Sequence, residues 1–530
     1  MPKYAALTRG TALALLALAA GPVGAAAPDG TKPDSRALSR AIDQALDARL
    51  RAEKVRPSPR ADDAEFLRRV YLDVTGRTPP AEKATAFLAD RDPNKRAKLI
   101  DQLLDSPEYG KHQADVWQAL LLPRNSDNRR IMQFYPNLVR WLEDGFNSNK
   151  PWDRLVHDLV TASGEVDKNG AVVYFLANPT PDKVTDNVTR LFLGVQLQCA
   201  QCHNHPFTDW KQTEYWGMAA FFTKVRTVGR PAQVARNGGT LSINETGPGR
   251  PARLPGSAKV VPAKFLQGEQ AKLGPRQPAR PVVADWMTSP KNPFFAKAMV
   301  NRTWAQFFGR GIVNPVDDMH EGNVPSHPQL LADLARQFAD GGFDLKSLIR
   351  AVCNSQAYQR TSKPSGGNAD AAPELFARMA VKVLTPEQLY DSLTGVLGAP
   401  NRPAARQGRP AAAAARRPGA GPRAAFVAFF GVEDGNTDPT EYQAGIPQVL
   451  RLMNSPQLNN AAMLNPLLRA NKAPGQIIDH LYVATLARHP TPQERGRCVG
   501  YVSKYRGEAR QAYADVLWAL LNSSEFTLNH

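Results

Sequence analysis

Asp62-Asp63-Ala64-Glu65-Phe66-Leu67-Arg68-Arg69-Val70-Tyr71-Leu72-Asp73-Val74-Thr75-Gly76 reads as one complete helix. Phe66, Leu67, Val70, Tyr71 and Val74 recur at the helical period, Asp62 and Glu65 have capping-box spacing at the start, and Gly76 supplies the stop. The same grammar returns along the chain. Leu99, Ile100, Leu103 and Leu104 form the next stripe, and Ser106-Pro107-Glu108 then restarts with a cap, a proline at the first helical position and an acid in the first turn. Met299, Val300, Trp304, Phe307 and Phe308 run up to Gly309; Leu331, Leu334 and Phe338 run up to Gly341; Leu345, Leu348, Ile349 and Val352 follow. Strand-like character is weak and confined to fragments between Val225 and Phe265. The expectation is a mainly α protein, with two multi-helix domains joined by a Pro/Gly-rich basic segment that holds at most a small β element.

The two ends of the chain resemble each other. Tyr71, Arg77 and Pro79 have the spacing of Tyr482, Arg488 and Pro490. Leu103-Leu104-Asp105-Ser106-Pro107-Glu108-Tyr109 matches Leu520-Leu521-Asn522-Ser523-Ser524-Glu525-Phe526, and Val352-Cys353-Asn354-Ser355-Gln356-Ala357-Tyr358 is a weaker third copy. These read as a recurring helical hairpin whose loops are pinned by Arg and Pro, with a period too irregular for a solenoid.

At 530 residues the chain has room for several domains, and its net charge is +17. That charge is concentrated. Thr223 to Val283 holds eleven Lys or Arg against two acids, and Gly398 to Ala424 holds six Arg and no acid. Both stretches are rich in Pro, Gly and Ala, and the helical regions are close to neutral, so the pattern is that of basic linkers and nucleic-acid binding is not expected. Lys3 and Arg9 precede the apolar run Ala12 to Ala20, and small residues from Val23 to Ala27 form an A-x-A-like cleavage site. This predicts a secretory signal over 1–27 and a mature protein in the periplasm, at the cell surface or outside the cell. No transmembrane span is expected after cleavage. The remaining layout is a linker and helix over 28–60, a helical domain over 61–225, a basic connector over 226–284, a second helical domain over 285–397 and 425–530, and a disordered Ala/Pro/Arg-rich insert over 398–424.

One segment carries specific chemistry, Cys199-Ala200-Gln201-Cys202-His203. Cys-x-x-Cys-His is the attachment signature of c-type haem: Cys199 and Cys202 would form thioethers with the two vinyl groups, and His203 would be the proximal iron ligand. Attachment of this kind belongs outside the cytoplasmic membrane, in agreement with the leader. Other readings stand beside it. Asn204-His205-Pro206-Phe207 adds a second imidazole, so two thiolates with His203 and His205 form a candidate zinc set, completed by a distant ligand such as His112, His157, His320 or His327. The plainest reading is a local disulfide or reduced pair whose histidines make hydrogen bonds. Met218, His112 and His327 are candidates for a sixth haem ligand, although Met218 sits in an apolar stripe that also reads as core.

Only four cysteines occur, so there is no disulfide framework. Cys353 reads as a buried core thiol and Cys498 similarly, with a pairing between them left open. Asp317, Asp318 and His320 form a cluster that suits either a cation or an ordinary capped turn. No Gly-rich phosphate loop, Gly-x-Ser-x-Gly elbow or His-Glu-x-x-His pair is present, so no enzyme class is assigned.

The segments Phe66-Leu67-Arg68-Arg69-Val70-Tyr71-Leu72-Asp73 and Phe192 to His203, with Val300-Asn301-Arg302-Thr303-Trp304, Phe308-Gly309-Arg310-Gly311, Pro325-Ser326-His327-Pro328 and Trp518 to Ser523, resemble a known family. It comprises large exported proteins of planctomycete-type bacteria that pair a cytochrome-like domain of unknown function with a second, planctomycete-specific domain. The resemblance covers most of the mature chain and implies at most one haem, since 29–60 leaves no room for the separate cytochrome domain that many relatives carry. The resulting expectation is an exported c-type haem protein with an electron-transfer or other envelope redox role, docking with an envelope redox partner or a surface polymer. The alternative is a non-enzymatic helical scaffold or glycan-associated protein with a structural Cys/His metal site.

Overall fold

The computed structural model describes residues 34–123, 129–229, 240–245, 251–274, 276–398, 421–430, 463–470 and 472–530. The expected leader and most of the expected insert lie outside the described residues. Helix α1 (Ser35–Ala52) leads into α2 (Asp63–Thr75), α3 (Ala81–Ala89), α4 (Lys95–Leu104) and α5 (Pro107–Leu121). Short α6 (Arg129–Met132) precedes α7 (Tyr135–Asn147), α8 (Trp152–Val160), α9 (Val173–Ala177), α10 (Pro181–Leu193) and α11 (Gln212–Ala219). Beyond the connector come α12 (Arg280–Met287), α13 (Phe295–Phe308), α14 (Pro328–Asp340), α15 (Leu345–Asn354) and α16 (Pro386–Leu397). The last group is α17 (Pro422–Phe430), α18 (Leu464–Arg469), α19 (Pro474–Leu486), α20 (Pro492–Lys504), α21 (Ala509–Leu521) and α22 (Ser524–Thr527). The protein is mainly α, as its periodicity predicts, and among the described residues no helix is long and apolar enough to cross a membrane.

The sheets are small. Strands β1 (Gly164–Glu165), β2 (Arg226–Val228) and β3 (Ser242–Asn244) form an antiparallel sheet in the order β1-β3-β2, and β4 (Lys382–Val383) pairs with β5 (Leu528–Asn529). Only β2 and β3 fall within the span expected from sequence.

Helix α2 shows how local signals and packing combine. The Asp62 carboxylate accepts the Glu65 amide at 2.8 Å, and Gly76 ends the helix at φ 70°. A Cβ on Gly76 would meet His112 Nδ1 at 2.5 Å, so both the backbone angle and the space demand glycine. The capping box is only half made. The Glu65 carboxylate turns inward instead, accepting from Arg69 at 2.6 Å, from the Thr361 hydroxyl at 2.6 Å and from the Ser362 amide at 2.7 Å. The inward partners win because together they offer a buried carboxylate a guanidinium one turn along the same helix and two further donors from Thr361 and Ser362, more than one extra amide could.

Arg68 and Arg69, side by side and fully buried, tie α2 to the rest of the chain. Arg68 donates to the carbonyls of Thr485 at 3.1 Å and Phe526 at 2.6 Å; Arg69 donates to those of Tyr358 at 2.8 Å and Arg360 at 2.9 Å. The larger of the two main apolar clusters runs from Leu38 to Ala487, the smaller gathers Leu72 with Leu384, Leu389, Leu481, Leu517 and Phe526, and a minor third joins Leu50 to Leu375 and Ala377. Segments on both sides of the connector therefore share every one of them.

The repeated endings have a common geometry. Ser106 donates its hydroxyl to Leu103 O at 2.8 Å, Ser355 to Val352 O at 2.7 Å and Ser523 to Leu520 O at 2.7 Å. Three residues after each serine stands a buried aromatic ring, Tyr109, Tyr358 or Phe526. The loop arginines match as well, with Arg77 bound to Glu108 at 2.5 Å and Arg488 to Glu525 at 2.6 Å.

One open alternative closes and one expectation changes. Cys353 is buried in the larger cluster while Cys498 packs against the smaller, and both are free thiols, so they do not bridge. Residues 422–424, expected in the disordered insert, begin α17, where Arg423 binds Asp115 at 2.6 Å and Asp391 at 2.9 Å. An arginine that satisfies two carboxylates holds this end of the segment in the fold.

Candidate functional site

The Cys-His segment is placed by the end of α10. Gly194 closes that helix at φ 69°, and its α-carbon faces Met319 Sδ and the Ala298 Cβ, which a side chain would approach at 3.1 and 3.3 Å. Its carbonyl accepts the Met319 amide at 2.8 Å. Val195 and Leu197 are then buried, and the chain enters a 3-10 turn over Gln198–Gln201. Ala200 packs inward at 0% exposure, which leaves Cys199 and Cys202 on the outside as exposed free thiols.

Helix α11 holds the segment from behind. Trp216 Nε1 donates to Gln201 O at 3.0 Å, and Gln212 Nε2 donates to Cys202 O at 2.8 Å and to Gln201 O at 3.2 Å. Asn204 Oδ1 accepts the Gln212 amide at 3.0 Å. Gln212 and Trp216 stand four residues apart on one helix face, a spacing that could have singled them out in the sequence. Deeper in, the Tyr215 hydroxyl donates to Asp186 Oδ1 at 3.0 Å. Burial lifts the Asp186 carboxyl to about 6, against the lowering effect of that bond, and burial beside Asp186 raises the tyrosine.

The two imidazoles are set in opposite ways. His203 Nδ1 lies 2.7 Å from Asn204 O. A carbonyl only accepts, so in the neutral ring Nδ1 carries the proton and Nε2 keeps its lone pair. His205 Nδ1 accepts the Phe207 amide at 3.2 Å, so in the neutral ring the proton is on Nε2. The bonds to the Asn204 carbonyl and from the Phe207 amide thus prepare His203, and not His205, to ligate through Nε2. Phe207, 88% exposed, sits at the edge of the His205 ring.

The other candidate ligands lie in other settings. His112 is buried on α5 against Gly76, and burial takes its imidazole down to about 4. His327, at the N-cap of α14 beside Phe376, is likewise brought to about 4. His157 lies 3.2 Å from Asp285, and His320 lies 3.6 Å from Asp318. Met218 is fully buried in the larger core. Asp317 is engaged by Arg302 and, at 3.4 Å, by Arg190, which makes its cluster part of the packing between α10 and α13.

Among the described residues no three His, Cys, Asp or Glu gather into a group that could hold a metal ion. A tetrahedral zinc site needs four donors converging on one point. Haem attachment asks something different: two accessible thiols three residues apart and one imidazole lone pair, and these the segment offers. The donor set therefore fits a covalently held haem.

Residues 41–227 match a family model, PSCyt2, described as a protein of unknown function (DUF1549), and residues 279–502 match a second, PSD1, described as a protein of unknown function (DUF1553). No curated protein and no solved structure matches the chain. The chain is thus similar to two families of unknown function, one on either side of the connector.

Proposed function

We propose that the chain is a c-type haem protein of the cell envelope that exchanges electrons with another envelope component, after export directed by its first 27 residues. Cys199 and Cys202 would hold the porphyrin, and His203 Nε2 would ligate its iron; bound there, haem supplies one-electron chemistry. The observation that carries this reading is the pair of opposite tautomers, with His203 presenting a lone pair and His205 a proton. The Asn204 carbonyl fixes the ring, while Gln212 and Trp216 hold the turn that presents both thiols. The name of the first family, PSCyt2, points to a cytochrome link and agrees with this reading.

The test is an absorbance spectrum of the chain matured in a host with haem-attachment machinery. Bands of covalent haem are expected, lost or shifted in type in His203→Ala and retained in His205→Ala. Processed, folded protein that is colourless and titrates for both Cys199 and Cys202 thiols would end the proposal.

A further inference from the structure

Trp216 also forms part of the wall of a half-open cavity of about 480 Å³. Thr180 and Asp182 at the start of α10, Arg226 and Thr227 of β2, and Arg253 line it with that indole. Its size suits one or two sugar rings. Arg226 and Arg253 have no carboxylate partner among the described residues. Each is steadied by carbonyls through one nitrogen: Arg226 Nη1 donates to Thr223 O at 2.8 Å and Val225 O at 2.9 Å, and Arg253 Nη1 donates to Ala258 O at 2.9 Å. The other N–H groups of each guanidinium remain to bind a ligand. The first turn of α10 adds to this positive character, since Thr180 makes no side-chain cap and the helix dipole points its positive end here.

Asp182 decides what kind of anion fits. Its carboxylate has no ion-pair partner among the described residues and so repels a bare inorganic anion while accepting hydrogen bonds from hydroxyl groups. A neutral sugar would satisfy Asp182 and stack on the indole but leave two guanidinium groups without a counter-charge. A sugar that carries a carboxylate satisfies both. We propose that this cavity binds an acidic carbohydrate, with the carboxylate of a uronic acid residue on Arg226 and Arg253 and ring hydroxyls on Asp182. This binding does not depend on haem attachment.

Calorimetric titration of the purified full chain with digalacturonate, its methyl ester and inorganic phosphate tests the assignment. Saturable binding is expected for the acid and at least tenfold weaker binding for the ester. R226Q and R253Q should each weaken the acid roughly tenfold or more, the loss of a charge-assisted hydrogen bond. D182N should weaken digalacturonate while strengthening phosphate, a reversal that mere unfolding does not produce. Arg253 is exposed, so R253Q in particular leaves the fold intact. Equal binding of acid and ester, phosphate binding as tight as digalacturonate, no saturable binding at millimolar sugar, or unchanged affinity in R253Q would each overturn the proposal.

Discussion

His112 illustrates how one buried side chain sets a response to acid. The ring is enclosed between α5 and Gly76, and desolvation brings it to about 4, whereas in the unfolded chain an ordinary histidine titrates near 6.5. Between those values the unfolded state takes up a proton that the folded state refuses. Stability is therefore full above about pH 6.5, falls as pH drops toward 4, and levels off below. The His112 contribution is on the order of 3 kcal/mol, and His327 acts in the same direction. Glu65, lowered by its hydrogen bonds and Arg69 against the cost of burial, adds a separate loss at lower pH, where its carboxylate is protonated. Urea unfolding as a function of pH should show a slope between pH 6.5 and 4 that is one proton smaller in His112→Gln; an unchanged slope would assign the titration elsewhere. At this scale the proposed attachment segment, Cys199, Cys202 and His203, is legible in the sequence because its residues are contiguous. The sequence does not disclose the protonation of the two imidazoles, which rests on the Asn204 carbonyl and the Phe207 amide, nor the cavity, whose walls come from α10, α11, β2 and the segment around Arg253.

Among the elements, helix stops are the most readable feature and carry clear consequences. Gly194 ends α10 with a positive φ at the point where the chain turns toward the Cys-His segment. Gly194→Ala is expected to cost at least about 1 kcal/mol from the left-handed backbone alone, with a further cost from contact with Met319, and to loosen the presentation of the two thiols. Thermal melting with and without bound haem would measure both effects. The serine endings of α4, α15 and α21 were readable too, since Ser106, Ser355 and Ser523 precede an aromatic residue at constant spacing. Ser523→Ala should cost about 2 kcal/mol, since its hydroxyl both donates to Leu520 O and accepts the Phe526 amide, and Ser106→Ala about 1 kcal/mol, since that hydroxyl only donates to Leu103 O; equal losses measured by urea unfolding would mean that the Phe526 amide bond contributes nothing. Strands β4 and β5 escape prediction because two-residue strands have no periodicity, and their pairing joins positions far apart in sequence. Glu65 misleads for a related reason, since two of its three side-chain partners, Thr361 and Ser362, are not local.

For the whole molecule the decisive feature is that helices from both sides of the connector interpenetrate. Asp43 of α1 accepts the amides of Gln356 and Ala357 at 3.0 Å each, and Ser39 donates to Ala351 O at 2.7 Å. Residues 34–284 expressed alone should therefore lack a cooperative thermal transition, because α1 and α2 would expose apolar faces and unpaired buried charge. A well-dispersed amide spectrum from that fragment would show instead that the segment is self-sufficient. Arg69→Met should destabilise the full chain by about 3 to 5 kcal/mol, as the Glu65 carboxylate loses its buried counter-charge.

The buried arginine pair also bears on when the protein can become native. Arg68 and the Phe526 carbonyl that it binds are 458 positions apart, and such a closure is costly in chain entropy until many other contacts exist. While the ribosome is still reading the middle of the message, α2 lacks its ultimate anchor. Docking of α2 should thus wait until the segment that carries Phe526 has been made, which leaves the first half of the chain without this native anchor for as long as the second half is being synthesised.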